Sequence, residues 1–92
     1  MTDQITVRPE ADRFVITVDG ADAGFAHFRT EDGHRVFDHT ELDDAFSGRG
    51  LSGSLVQQAL EATRADGLRI KAECPLVKHW LTKHHEFDDL VD

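Results

Sequence analysis

The sequence predicts one α/β domain, in which a mostly antiparallel sheet carries two helices in the order β-β-β-β-α-β-α. Three observations support this class. A length of 92 residues suits a single hydrophobic core, so residues 1–92 are taken as one domain. The first half of the chain alternates apolar and polar residues between Asp-Gly pairs, which is typical of hairpins. The second half spaces its apolar residues as a helix does.

Four strands are expected before the first helix, because four short runs are rich in β-branched and aromatic residues. These runs cover residues 5–8, 13–19, 23–29 and 34–42. The second run turns one apolar face to the core, formed by Phe14, Ile16 and Val18. Asp19-Gly20 predicts a tight turn after it, and the segment at 31–33 predicts another. Strands joined in this way form an antiparallel meander.

After the fourth strand, the spacing of the apolar residues changes from that of a strand to that of a helix. The buried stripe of the first helix is expected to consist of Leu51, Leu55, Val56, Ala59 and Leu60. Gly67 stands where a glycine ends a helix, and a fifth strand follows over 68–72. Cys74-Pro75 predicts the cap and first residue of a second helix. The apolar side of this helix is expected to consist of Val77, Trp80 and Leu81. The tail is expected to pack on the core through Phe87, Leu90 and Val91.

Charge and composition exclude several classes of function. A net charge of −8 argues against nucleic-acid binding, and no apolar run is long enough for a membrane span. The single cysteine excludes an intramolecular disulfide, so we expect a cytoplasmic protein. Residues 1–47 carry four basic and eleven acidic side chains, which favours a cationic substrate. Residues 48–85 carry six basic and three acidic side chains, which favours a phosphorylated ligand.

A glycine-rich segment, residues 47–53, precedes the first helix. Gly48, Gly50 and Gly53 suggest a close approach of the backbone to a ligand, and the first turn of a helix attracts phosphate. The segment lacks the lysine of a nucleoside-triphosphate loop. It matches the dinucleotide fingerprint, but hairpins precede it where that motif needs a parallel strand. A loop for the diphosphate of an acyl-coenzyme A is the third candidate.

Five ordered segments support that third possibility. They are His39-Thr40-Glu41-Leu42, Gly48-Arg49-Gly50-Leu51, Leu55-Val56-Gln57-Gln58-Ala59-Leu60, Cys74-Pro75-Leu76-Val77, and residues 84–91 from His84 to Val91. In this order and spacing the chain resembles a subgroup of very short members of the GNAT acetyltransferase superfamily. It departs from the pattern at Ser47 and Ser52 in the loop and at His85 in the tail.

The resemblance implies a compact GNAT fold that binds acetyl-coenzyme A, with the pantetheine arm between strands 34–42 and 68–72. The backbone N–H near Leu42 is then expected to hold the thioester carbonyl. The residues implied in cofactor binding are Leu42, Gly48, Arg49, Gly50, Leu51, Ser52, Gly53, Cys74 and Lys78.

Three residues are candidates for the chemistry. Cys74 is expected beside the thioester, either as a transient acetyl acceptor or as the acid that protonates the departing thiolate; a plain buried side chain is the alternative. Glu41 and His39 are rival bases on one face of a strand, and each also has a purely structural interpretation. No metal is expected, because Cys74, His79 and His84 are spaced so that a helix scatters them.

The sequence therefore predicts an N-acetyltransferase that moves acetyl from acetyl-coenzyme A to an amine, either a small amine or a protein lysine. A coenzyme A-binding module or sensor without turnover is the alternative. A chain this short has few residues with which to line an acceptor pocket. The acceptor site is expected to be shallow or completed by a second copy, so the protein is expected as a monomer or a homodimer.

Overall fold

The computed structural model describes residues 4–46 and 50–91. It contains one five-stranded sheet in the order β1-β2-β3-β4-β5. Its strands and helices are β1 (Ile5–Pro9), β2 (Arg13–Val18), β3 (Ala21–Glu31), β4 (His34–Leu42), α1 (Leu51–Ala65), β5 (Arg69–Ala72) and α2 (Pro75–Lys83). A 3-10 turn at Asp44–Phe46 follows β4. The expected order of elements is confirmed. The main difference is that β3 begins two residues before the expected range and ends two residues after it.

The first four strands form the predicted antiparallel meander, and β5 joins parallel to β4. Both Asp-Gly pairs make the turns. Asp19 and Gly20 have φ values of 51° and 85°, and Asp32 and Gly33 have values of 50° and 77°. Positive φ at both central residues belongs to the hairpin turn whose twist matches that of the flanking strands. Local turn chemistry therefore sets the pairing of the strands.

The hydrophobic core lies between the sheet and α1, with α2 packed beside α1. The predicted stripe of α1 is buried along its whole length. In β2, however, Val15 and Thr17 are buried as well as the three predicted residues. The register explains Val15, because Val15 pairs with Phe25 on the face opposite α1, and the Arg13 guanidinium lies 4.8 Å from the centre of the Phe25 ring. We call this face, opposite α1, the outer face.

β4 and β5 pair over only four residues, and the pairing ends at Phe37 and Ala72. The Phe37 carbonyl then accepts two N–H groups, from Glu73 and from Cys74, each at 2.9 Å. Beyond this point β4 continues to Leu42, whereas the other chain turns into α2. We call the resulting gap, between 38–42 of β4 and Cys74, the splay. It positions the candidate site.

The predicted helix boundaries and tail packing are confirmed. Gly67, at φ 74°, follows the last residues of α1, and Cys74 caps α2 with Pro75 next to it. Phe87 is buried, and Val91 forms a bridge with Ile70 that holds the tail against β5. Among the described residues, no helix is both long and apolar enough to cross a membrane.

Candidate functional site

The edge of β4 that borders the splay carries backbone groups with no neighbouring strand. The Asp43 N–H donates to the Ala23 carbonyl of β3 at 2.8 Å. Since successive residues of a strand direct their N–H groups to opposite edges, the Leu42 N–H points away from β3 and towards the splay. A donor there can hold the oxygen of a carbonyl group that enters the gap.

Gly24 allows β3 to approach this end of β4. A Cβ atom on Gly24 would lie 2.5 Å from the Glu41 carbonyl oxygen and 3.0 Å from the Leu42 Cα. Contacts this short would displace the backbone of β4, so only glycine fits here. The position of the Leu42 N–H thus depends on a residue of the neighbouring strand.

Cys74 closes the other side of the splay. Its side chain is buried, and the Sγ–H donates to the Thr40 Oγ1 at 3.4 Å. The thiol makes no capping hydrogen bond to the amides of α2, although Cys74 is the cap residue. The sulfur is therefore both a member of the core, as the structural interpretation expects, and the partner of a hydroxyl on β4.

His39 and Glu41 lie together on the outer face. The His39 Nε2 is 3.2 Å from the Glu41 Oε1, and more than half of each side chain is exposed. Thr40, between them in sequence, pairs with buried Ala26 and faces Cys74. The structure thus brings the two candidate bases together, as their spacing predicts, and places Cys74 on the opposite face of the sheet.

An ionic cluster on the outer face marks the point where the splay begins. The Arg29 guanidinium donates to both carboxylate oxygens of Glu73 at 3.0 and 2.9 Å, and to Asp38 at 3.3 Å. The hydrogen bond from Arg29 lowers the pKa of Glu73. Burial alone would raise the pKa of Asp38, but hydrogen bonds from His27 and Arg29 outweigh it and lower that pKa. Arg29 therefore joins β3, β4 and the residue before Cys74.

A cavity of about 670 Å³ adjoins the end of β4. Most of its charged lining is acidic. The residues around it are Glu10, Arg13, Val15, Asp22, Ala23, Gly24, Phe25, Glu41, Leu42, Asp43 and Asp44. It shares Glu41 and Leu42 with the splay, so a cationic group held here lies next to the candidate base.

The start of α1 is described from Gly50 onward; Ser47, Gly48 and Arg49 lie outside the described residues. Gly50 is the cap residue, has φ 72°, and supplies no side-chain cap. The Leu51 side chain is buried in the core, whereas Ser52 and Gly53 are half-buried. Gly50 therefore gives the first-turn amides no side-chain partner, and amides without such a partner favour an anion.

Lys78 lies on the exposed side of α2, and its backbone N–H donates to the Cys74 carbonyl at 3.0 Å. No group of three or more His, Cys, Asp or Glu side chains within residues 4–46 and 50–91 is arranged to hold a metal ion.

A sequence model described as GCN5-related N-acetyl-transferase matches residues 13–90, which include the splay, both helices and every candidate residue named above. The chain belongs to this family. The fold of this GNAT chain is similar to that of a GCN5-like candidate N-acetyltransferase from Staphylococcus aureus, solved by NMR. The TM-score is 0.73 at 24% identity, over 95% of this chain and 87% of that one. No curated protein matches the sequence.

Three residues of the site were not predicted as such. Thr40 belongs to the segment His39-Thr40-Glu41-Leu42, but its contact with Cys74 depends on how two distant strands separate. Gly24 and Arg29 act through neighbouring strands. The isolated glycine in the third apolar run was the one available signal, because glycine within a strand marks a close approach.

Proposed function

We propose that the protein is an acetyl-coenzyme A-dependent N-acetyltransferase that acts on a cationic amine. GNAT membership supports acyl transfer in general. The observation that carries the finer proposal is the two-sided splay, with a buried thiol on the α1 side and a carboxylate–imidazole pair on the outer face. A thioester between them is open to an amine from one side and to a proton donor from the other.

The base on the outer face first takes a proton from the ammonium group and passes it to solvent. The neutral nitrogen attacks the thioester carbonyl, and the Leu42 N–H stabilises the resulting oxyanion. Collapse breaks the C–S bond, and the coenzyme A thiolate takes the proton of the Cys74 thiol. The second nitrogen proton passes through the same base to solvent, and solvent returns a proton to Cys74. Because Cys74 already donates to Thr40, its protonated form suits the acid role better than that of an acetyl acceptor.

Glu41 is proposed as the base, since it lines the acidic cavity that an approaching amine must enter. His39 contacts Glu41 and orients its carboxylate. The alternative assignment exchanges these roles.

The acidic cavity supports a cationic acceptor, either a small amine or a protein lysine. Its position on the outer face also allows a second copy to complete the wall in a homodimer. The proposed acid role of Cys74 needs a reduced thiol, and thiols stay reduced in the cytoplasm, which supports a cytoplasmic location.

Two measurements test the proposal. Titration calorimetry should detect acetyl-coenzyme A binding, and thiol release should rise when a panel of cationic amines is added. Glu61→Gln, on the exposed side of α1, is the matched control and should leave both unchanged. Binding without amine-dependent thiol release would instead indicate the coenzyme A sensor, and no binding would contradict both functions.

A further inference from the structure

β4 carries a bulge of one residue directly before the two candidate bases. Phe37 pairs with Phe28 of β3, whereas His39 pairs with His27, so Asp38 is the extra residue of β4 between the two pairs. In a bulge, two residues of one strand lie opposite one residue of its neighbour, and the regular alternation of side chains is interrupted. Every later side chain of the strand then lies on the face opposite to the one that alternation predicts.

This bulge decides which side chains at the end of β4 face the core. Phe37 belongs to the core. Unbroken alternation would turn His39 and Glu41 to the same side and would turn Thr40 to the outer face. In the structure Thr40 instead contacts Cys74, and the two candidate bases lie on the outer face. The two-sided splay therefore depends on one extra residue in β4.

The side chain of the extra residue is held by β3. The His27 Nδ1 lies 2.7 Å from one carboxylate oxygen of Asp38, and the Arg29 guanidinium donates to the other oxygen at 3.3 Å. His27 and Arg29 stand on either side of Phe28, where the register of the two strands shifts. The Asp38 side chain is 25% exposed, so water screens these contacts less than it screens an ion pair on an open surface.

Arg29 also joins β4 to β5 at the point where the two strands separate. Phe37 and Ala72 form the last pair of these strands. The residues that follow them, Asp38 and Glu73, both accept hydrogen bonds from Arg29. Two neighbouring carboxylates repel each other, and the guanidinium between them offsets that repulsion. The bulge and the start of the splay thus share one set of contacts.

We propose that Asp38 is a positioning residue, whose carboxylate, held by His27 and Arg29, fixes the bulge in β4. The bulge in turn directs Thr40 towards Cys74 and leaves the candidate bases on the outer face. This inference rests on the proposed function, because Asp38 sets the geometry of the same site through other residues.

Asp38→Asn tests the role of the carboxylate, because the amide keeps the size of the side chain and turns an NH2 group towards a donor of β3. Amine-dependent kcat should fall about tenfold or more, since a displacement of about 1 Å costs about 100-fold. The Kd for acetyl-coenzyme A should change less than kcat. Glu31→Gln is the matched control and should leave kcat unchanged, because it removes another carboxylate from Arg29 and lies outside the bulge.

Proton NMR separates a change of position from a general loss of stability. Thr40 and Ala26 are paired on the core side of the sheet, so their methyl groups should show a nuclear Overhauser contact in wild type and in Glu31→Gln. Asp38→Asn should lose this contact. If that variant does not fold, His27→Val, which removes one of the two contacts of the carboxylate, should show the same changes to a smaller extent.

Two results would overturn this inference alone. One is a folded Asp38→Asn variant with unchanged kcat, and the other is a lowered kcat with the contact between Thr40 and Ala26 intact. Wild-type protein that releases no thiol with any amine would instead overturn the proposed function. Loss of the methyl contact in Asp38→Asn would, even then, support the role of Asp38 in the bulge.

Discussion

The Cys74 Sγ–H donates to the Thr40 Oγ1 at 3.4 Å, which links the start of α2 to the part of β4 that no longer pairs with β5. This bond crosses the splay on the α1 side, while His39 and Glu41 lie on the outer face. The three predicted catalytic residues are thus divided between two faces of one strand segment. In the proposed mechanism, this division puts the acid and the base on opposite sides of one thioester.

Cys74→Ala should lower kcat about 100-fold, within the usual range for loss of a general acid, and leave the Kd for acetyl-coenzyme A within twofold. Steady-state thiol release and calorimetry measure the two quantities. Thr40→Val is the companion variant: it keeps the thiol and removes only its acceptor, so kcat should fall severalfold. Unchanged turnover in Cys74→Ala would remove the thiol from the mechanism.

Glu41→Gln should lower kcat more than His39→Gln does, because the carboxylate lines the cavity and the imidazole only contacts the carboxylate. We expect a loss of about 100-fold for the first variant and less than tenfold for the second, measured at saturating amine. The reverse ranking would assign the base to His39.

Glu73→Gln should alter the pH dependence of stability. The hydrogen bond from Arg29 lowers the pKa of Glu73 in the folded protein from its ordinary value of 4.5. The contribution of this pair is therefore fully present above about pH 4.5 and is lost as the pH falls through the lowered pKa. Melting temperatures of wild type and variant should differ at pH 7 and converge in acid. A constant difference across this range would show that Arg29 does not act through the charge of Glu73.

Gly24→Ala should destabilise the protein by about 1–3 kcal/mol, because the new methyl group overlaps the backbone of β4. The same displacement moves the Leu42 N–H, so kcat should fall in the fraction that stays folded. Denaturant unfolding and thiol release measure the two effects. A variant with wild-type stability would contradict the close approach of β3 and β4.

Gly53→Ala should have opposite effects on stability and binding. Alanine stabilises a helix by about 0.5–1 kcal/mol relative to glycine, and its Cβ meets only an ordinary contact with Trp80. Gly53 is one of the residues that the sequence resemblance implies in cofactor binding, and the methyl group takes space at the first turn of α1, so coenzyme A should bind more weakly. Thermal unfolding and calorimetry separate these effects; stabilisation with unchanged affinity would place the ligand elsewhere.

Much of the fold was predictable because it depends on local chemistry. The paired positive φ values at Asp19-Gly20 and the glycine after α1 follow from residue type. The apolar stripe from Leu51 to Leu60 follows from helical period. The burial of Val15 did not follow from alternation, because it depends on Phe25 and Arg13 on the outer face.

The site was predictable in its parts and less so in its geometry. The period of a strand was enough to place His39 and Glu41 on one face. The contact between Cys74 and Thr40 depends on where β5 leaves β4, which no local pattern encodes.

A crystal structure with acetyl-coenzyme A bound tests the two-sided splay most directly. We predict that the thioester lies between β4 and Cys74, with its carbonyl oxygen within hydrogen-bond distance of the Leu42 N–H and its sulfur towards the Cys74 Sγ. His39 and Glu41 should face the carbonyl carbon from the outer face. A thioester outside the splay, or one with the thiol and both bases on the same side, would contradict this account.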